Sequence, residues 1–138
     1  MAAPNIVNVT TITGITSYLA GIGTGVNGQG PEFFKAGFTT VVSNPSGSNK
    51  VLKINNISAT CIGGTTGITL RYHDNASATT GVATVSIAHT AFVPTNSTLI
   101  VIGKDNPLYL EENRVITGIA QSGSGGRIDI ICSYEEIS

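Results

Sequence analysis

Hydrophobic and polar positions alternate along most of this chain. Ile68, Leu70 and Tyr72 interleave with Thr69, Arg71 and His73, and Ile128, Ile130 and Cys132 interleave with Arg127, Asp129 and Ser133. Val85, Ile87, His89 and Ala91 alternate in the same way with Thr84, Ser86, Ala88 and Thr90. A period of two marks strands with one buried face, and the β-branched residues that fill these runs favour a pleated backbone. Leu99 to Ile102 is apolar at every position, which predicts a strand covered on both faces. Leu52 and Ile54 sit on even positions but Ile57, Ala59 and Cys61 on odd ones. Keeping both sets inward requires a β-bulge near Asn55 and Asn56.

Turn residues divide the chain at short intervals. They bound expected strands over Lys50–Cys61, Gly67–Asp74, Val82–Val93, Ser97–Gly103, Leu108–Leu110, Arg114–Ala120 and Arg127–Glu135. Strands at this spacing predict an all-β protein, a single antiparallel β-sandwich or jelly-roll-like domain over residues 37–138. Only Glu32–Ala36 suits a helical turn. Residues 1–36 differ from the rest. Met1–Ala20 has no charge, and five glycines follow between Gly21 and Gly30 before Phe33 and Phe34. This segment is either a first strand pair with a long loop or an extended N-terminal arm that adds a strand to a neighbouring subunit.

Composition sharpens the picture. Of 138 residues, 41% are hydrophobic and only 11% charged, with a net charge of −1. A typical soluble domain carries about 25% charged residues. A nucleic-acid binder needs a basic face and a polybasic membrane protein a basic cluster; neither is present, so no nucleic acid and no membrane are expected as partners. A surface this poor in charge favours association, so packing against copies of itself or other proteins is expected. Met1–Asn8 carries no Lys or Arg and no apolar stretch follows, so assembly in a cytoplasm is expected.

The chemistry-bearing residues are sparse. Cys61 and Cys132 lack metal-ligand spacing and suit small buried thiols. The Gly21–Gly30 run lacks the Gly-Lys-Ser/Thr ending and the following helix of a phosphate loop. His73 beside Asp74 is expected to be solvated at a strand end. His89, in register with Val85 and Ile87, is expected to be buried in the core or at a subunit contact. Neither completes a nucleophile triad or a zinc site. The adjacent carboxylates Glu111–Glu112 and Glu135–Glu136 point to opposite strand faces and cannot converge on one bond. No catalytic residue, metal or cofactor is expected. Sugar binding lacks the expected aromatic platforms, with no Trp and 6% aromatics.

The last two-thirds of the chain carries a resemblance. Its stretches SNKVLKINNIS, VPTNSTLIVIGKDNPLYLEENRVITG and RIDIICSYEEIS follow one another in order. They resemble small β-sandwich virion proteins of tailed bacteriophages, particularly those of cyanobacterial viruses. The matching positions are Val93–Pro94, Ser97–Val101, Lys104–Asp105, Tyr109–Glu112 and Ser133–Glu136. The resemblance implies a non-catalytic structural part of a virus particle. As a capsid decoration or cement protein it would bind the major capsid protein shell as a homo-oligomer, a trimer or ring. A tail, neck or fibre-adaptor subunit is the alternative, and a host-surface carbohydrate-binding or adhesion module is the alternative of another class. The contact residues expected are Ile6, Val7, Val9, Ile12, Ile15, Tyr18, Phe33 and Phe34.

Overall fold

A computed structural model of the protein describes residues 8–22, 24–25, 39–64, 66–76, 84–121 and 127–138. Ten strands run through them: β1 (Ile12–Ile22), β2 (Thr24–Gly25), β3 (Thr39–Asn44), β4 (Val51–Ile62), β5 (Thr66–His73), β6 (Thr84–Val93), β7 (Thr98–Ile102), β8 (Leu108–Leu110), β9 (Arg114–Gln121) and β10 (Arg127–Ile137). There is no α-helix among the described residues, and the expected helical turn at Glu32–Ala36 lies outside them. Every strand expected from the alternation after residue 49 is present, with ends shifted by no more than two residues.

The strands form two sheets. The front sheet has the order β1-β10-β4-β7, with β8 also pairing β4; the back sheet has the order β2-β9-β5-β6, with β3 also on β9. All pairings are antiparallel except β2 with β9. Between the sheets lie Ile54, Ile57, Ala59, Ile128 and Ile130 from the front and Ile68, Leu70, Ile116 and Ala120 from the back. Full burial of each large aliphatic side chain stabilises the fold by about 1.5–3 kcal/mol. The chain is an all-β sandwich.

Strand β1 pairs with β10 of its own chain from Ile12 opposite Ile137 to Leu19 opposite Ile130. The bulge expected near Asn55 and Asn56 is present. Ser133 pairs with Asn56 and Tyr134 with Ile54, leaving Asn55 as the inserted residue. It puts Ile54 and Ile57 in the core, both fully buried.

Three expectations fail, each for a physical reason. Thr69, Arg71 and His73 are buried although they face away from the core, because the back sheet is covered on both faces. Strand β6 does not keep one parity. Its register with β5 shifts between Ile68 and Leu70 and again between Leu70 and Arg71. Thr90 lies in the first shift with φ at +47°, a strained position for a β-branched residue, and the Thr69 hydroxyl accepts its amide N–H at 2.9 Å. Val85 still pairs with Tyr72 ahead of the shifts, whereas His89 lies beyond the second shift and is exposed; of its two expected settings, the core is ruled out. Strand β7 is not covered on both faces either, since Ile100 points away from the core and is 63% exposed.

Candidate interaction surfaces

The outer face of the front sheet is built by cross-strand rows. Tyr18 pairs with Ile131, Ile131 with Ser58, and Ser58 with Ile100, so one row crosses four strands from edge to edge. Tyr18 is 77% exposed, Ile131 51% and Ile100 63%. Hydroxyl and amide rows flank it. On one side Thr16 and Ser133 share a hydrogen bond at 3.2 Å, and the Ser58 hydroxyl donates to Asn56 Oδ1 at 2.7 Å. On the other, Thr60 and Thr98 are bonded at 2.8 Å.

Charges on this face neutralise one another. Lys53 meets Glu135 at 3.4 Å across β4 and β10, and Arg127 meets Asp129 at 3.3 Å. Such exposed pairs add about 0–1 kcal/mol each to stability. Their larger effect is to leave a face of isoleucine, tyrosine and hydroxyl groups with balanced charge. Exposed tyrosine and isoleucine side chains aligned in one cross-strand row, with the surrounding charges neutralised, suit a contact site.

The residues expected at contacts divide three ways. Ile6, Val7, Phe33 and Phe34 lie outside the described residues. Val9 and Ile15 are half-buried, whereas Ile12 (62% exposed) and Tyr18 stand on the open face. Sequence reasoning missed Ile100 and Ile131. The signal was present, because Leu99–Ile102 and Ile130–Ile131 are apolar on consecutive positions. One member of each pair must point away from the core.

A second feature lies between the sheets at their β6–β8 margin. A cleft of about 370 Å³ is lined by Tyr72, Val85, Ser86, Ile87, Leu108 and Tyr109. It brings two of the four tyrosines together, with no charged side chain in its lining. Burial raises the Tyr72 phenol pKa above its ordinary value, opposed by the nearby Arg114 guanidinium.

His73, Glu112, Glu136 and the two cysteines each have a partner or are buried within the fold. His73 is buried, with Nδ1 3.0 Å from the Thr84 hydroxyl and Nε2 2.8 Å from that of Thr117. The expectation of a solvated His73 is therefore wrong; its outward parity leads to a covered face, not to water. Desolvation, and next the neighbouring Arg71 charge, lower its pKa below 6.5, with Asp74 opposing. As pH falls, the unfolded chain then takes up this proton before the folded one, so stability present above pH 6.5 is lost below it. The melting temperature is expected to drop between about pH 7 and about pH 5, and His73→Gln to flatten that drop while lowering stability at neutral pH. A thermal-melt series in pH on both proteins checks this.

Glu112 is tied to the turn before β4, accepting the Asn49 amide at 2.6 Å and the Gly47 amide at 3.3 Å. Glu136 pairs with Lys50 at 2.7 Å. Cys61 and Cys132 are free and buried; the Cys61 thiol donates to the Gly64 carbonyl at 2.9 Å, and burial pushes the Cys132 thiol up to about 12. Among the described residues no group of three or more His, Cys, Asp or Glu side chains is gathered. No helix among them is long and apolar enough to cross a membrane.

No protein-family model and no curated protein matches this chain.

Proposed function

We propose that this protein is a non-catalytic structural subunit of a tailed-bacteriophage particle, a decoration or cement protein that self-associates and binds the major capsid protein lattice. The observation that carries this reading is the exposed row Tyr18–Ile131–Ser58–Ile100 on a charge-balanced sheet face. A sandwich that leaves one sheet face apolar is suited to lie flat against another protein surface. Many such modest contacts, repeated over a closed shell, give avidity without any single tight one. The resemblance of the chain from Asn49 on to small phage virion proteins supports the same reading, as does the low charge content. Fold alone would not, because sandwiches host many functions.

The experiment is quantitative mass spectrometry of purified particles. Decoration requires a copy number comparable to that of the major capsid protein. Copies sufficient for a single ring would assign the chain to the neck, tail or fibre attachment instead, and its absence from particles would overturn the structural reading.

A second reading is favoured by one observation, the cleft that joins Tyr72 and Tyr109. Paired tyrosines beside a serine suit the apolar face and hydroxyls of a sugar ring, which is the chemistry of a host-surface adhesion module. Glycan binding by the isolated protein that Tyr109→Ala abolished would favour it.

A further inference from the structure

Each sheet edge of a β-protein presents unpaired backbone N–H and C=O groups, and natural proteins blunt such edges with charge, proline, bulges or brevity. Four edge strands here are blunted. β6 carries two register shifts and a strained Thr90. β7 and β8 are five and three residues long and are separated by a loop with Lys104, Asp105 and Pro107. β3 has a register shift between Thr40 and Val42. β1 differs from all of these. It is 11 residues long, lies at the margin of the front sheet among the described residues, and contains no charged residue and no proline. Its register with β10 runs unbroken from Ile12 to Leu19, and only then shifts, beside Gly21 at φ +68°.

We infer that β1 is the self-association edge of this protein, pairing antiparallel with β1 of a second copy about a two-fold axis. A strand edge recognises another strand through its backbone, so the occupant must be extended chain. The absence of charge selects the second copy. In a two-fold interface every side chain meets a neighbourhood drawn from the same strand, so any charge on β1 would meet its like; a wholly uncharged strand carries no such penalty. The pairing also extends the surface described above. Antiparallel partners keep outer residues opposite outer residues, so the exposed Ile12 and Tyr18 of each copy lie on one continuous face. The apolar row that ends at Tyr18 then continues into the second protomer, and the two front sheets become one. The repeating unit is a dimer, in place of the trimer or ring expected from the sequence. This inference goes beyond the proposed role and does not rest on it, because a dimer forms in solution whatever particle it serves.

Sedimentation equilibrium of the full chain tests it. The protein is expected to be a dimer at micromolar concentration. Thr16→Lys with Tyr18→Lys places charge on the edge at two exposed positions and is expected to weaken dimerisation by roughly tenfold or more. Ile100→Lys, which puts the same charge at the far side of the same face, is expected to leave the dimer intact. Hydrogen exchange on the unsubstituted protein gives an independent readout that no folding defect can mimic. Amides within residues 12–19 are expected to gain protection as concentration rises. A monomer throughout the micromolar range, a trimer or ring, a folded double variant that stays dimeric, or exchange in β1 independent of concentration would each overturn the inference.

Discussion

Gly118→Val is expected to destabilise the sandwich by about 3 kcal/mol, at the upper end of what overpacking a tight core costs. Gly118 sits on β9 facing the front sheet, and its backbone angles are ordinary; what it supplies is space. A Cβ there would lie 3.0 Å from Leu70 Cδ2, 3.3 Å from Val41 Cγ2 and 3.4 Å from Ile130 Cδ1. Those three side chains come from β5, β3 and β10, so the crowding spans both sheets and cannot be relieved by moving one strand. Gly118→Ala is milder, because Leu70 can yield a few tenths of an ångström. The branched methyls of valine leave no such escape. A loss of about 3 kcal/mol corresponds to a fall of roughly 10 °C in melting temperature for a domain of this size. Combining Gly118→Val with Leu70→Ala is expected to cost less than the sum of the two, the sign of a shared site. Urea unfolding of the two single variants and the double checks both statements.

Asn44→Ala is expected to cost about 2–4 kcal/mol, because it strands buried backbone carbonyls. Asn44 is 1% exposed at the end of β3. Its side-chain amide donates to the Lys50 carbonyl at 2.9 Å and to the Leu110 carbonyl at 3.0 Å, and its oxygen accepts the Ser48 hydroxyl at 2.5 Å. One side chain thus fixes the start of β4 and the end of β8 to the turn that leaves β3. Asn44→Asp keeps the shape but turns two donors into an acceptor facing two carbonyls. It is expected to be at least as damaging as alanine. An aspartate variant as stable as the parent would show that shape, and not the two donated bonds, is what this position contributes.

Strands β4 and β10 were legible in the sequence because their inner and outer residues alternate with a period of two. The break in that period at Asn55 announced a bulge that the structure contains. Turn positions were legible for a related reason. Asn49, Asn96 and Asn113 all adopt positive φ, where asparagine is among the few residues tolerated. The back sheet was misread because alternation reports which residues face the core, not whether the other face meets water. His73 and Arg71 have outward parity and are nevertheless buried. Strand β9 held the warning, since Val115, Ile116, Ile119 and Ala120 place apolar residues on both of its faces. The β6 bulges had no such signal. Thr90 is a good strand former, and the contact that stabilises its turn comes from Thr69, 21 residues earlier.

The candidate site was legible only in part. Low charge content pointed to a contact surface, and two of the residues expected at contacts, Ile12 and Tyr18, are exposed. The other half of the face comes from Ile131 and Ile100, which reach Tyr18 only through pairings between strands far apart in the chain. That register is a property of the sheet and cannot be read from any one segment. The same holds for Tyr72 and Tyr109, which line one cleft from opposite sheets.

A cryo-EM reconstruction of the proposed virus particle, at a resolution that shows strands, tests the structural role most directly. Density for this sandwich is expected on the particle, with the face bearing Tyr18, Ile131 and Ile100 turned against a neighbouring protein. Particles without the sandwich, or a sandwich attached elsewhere with that face open to solvent, would contradict it.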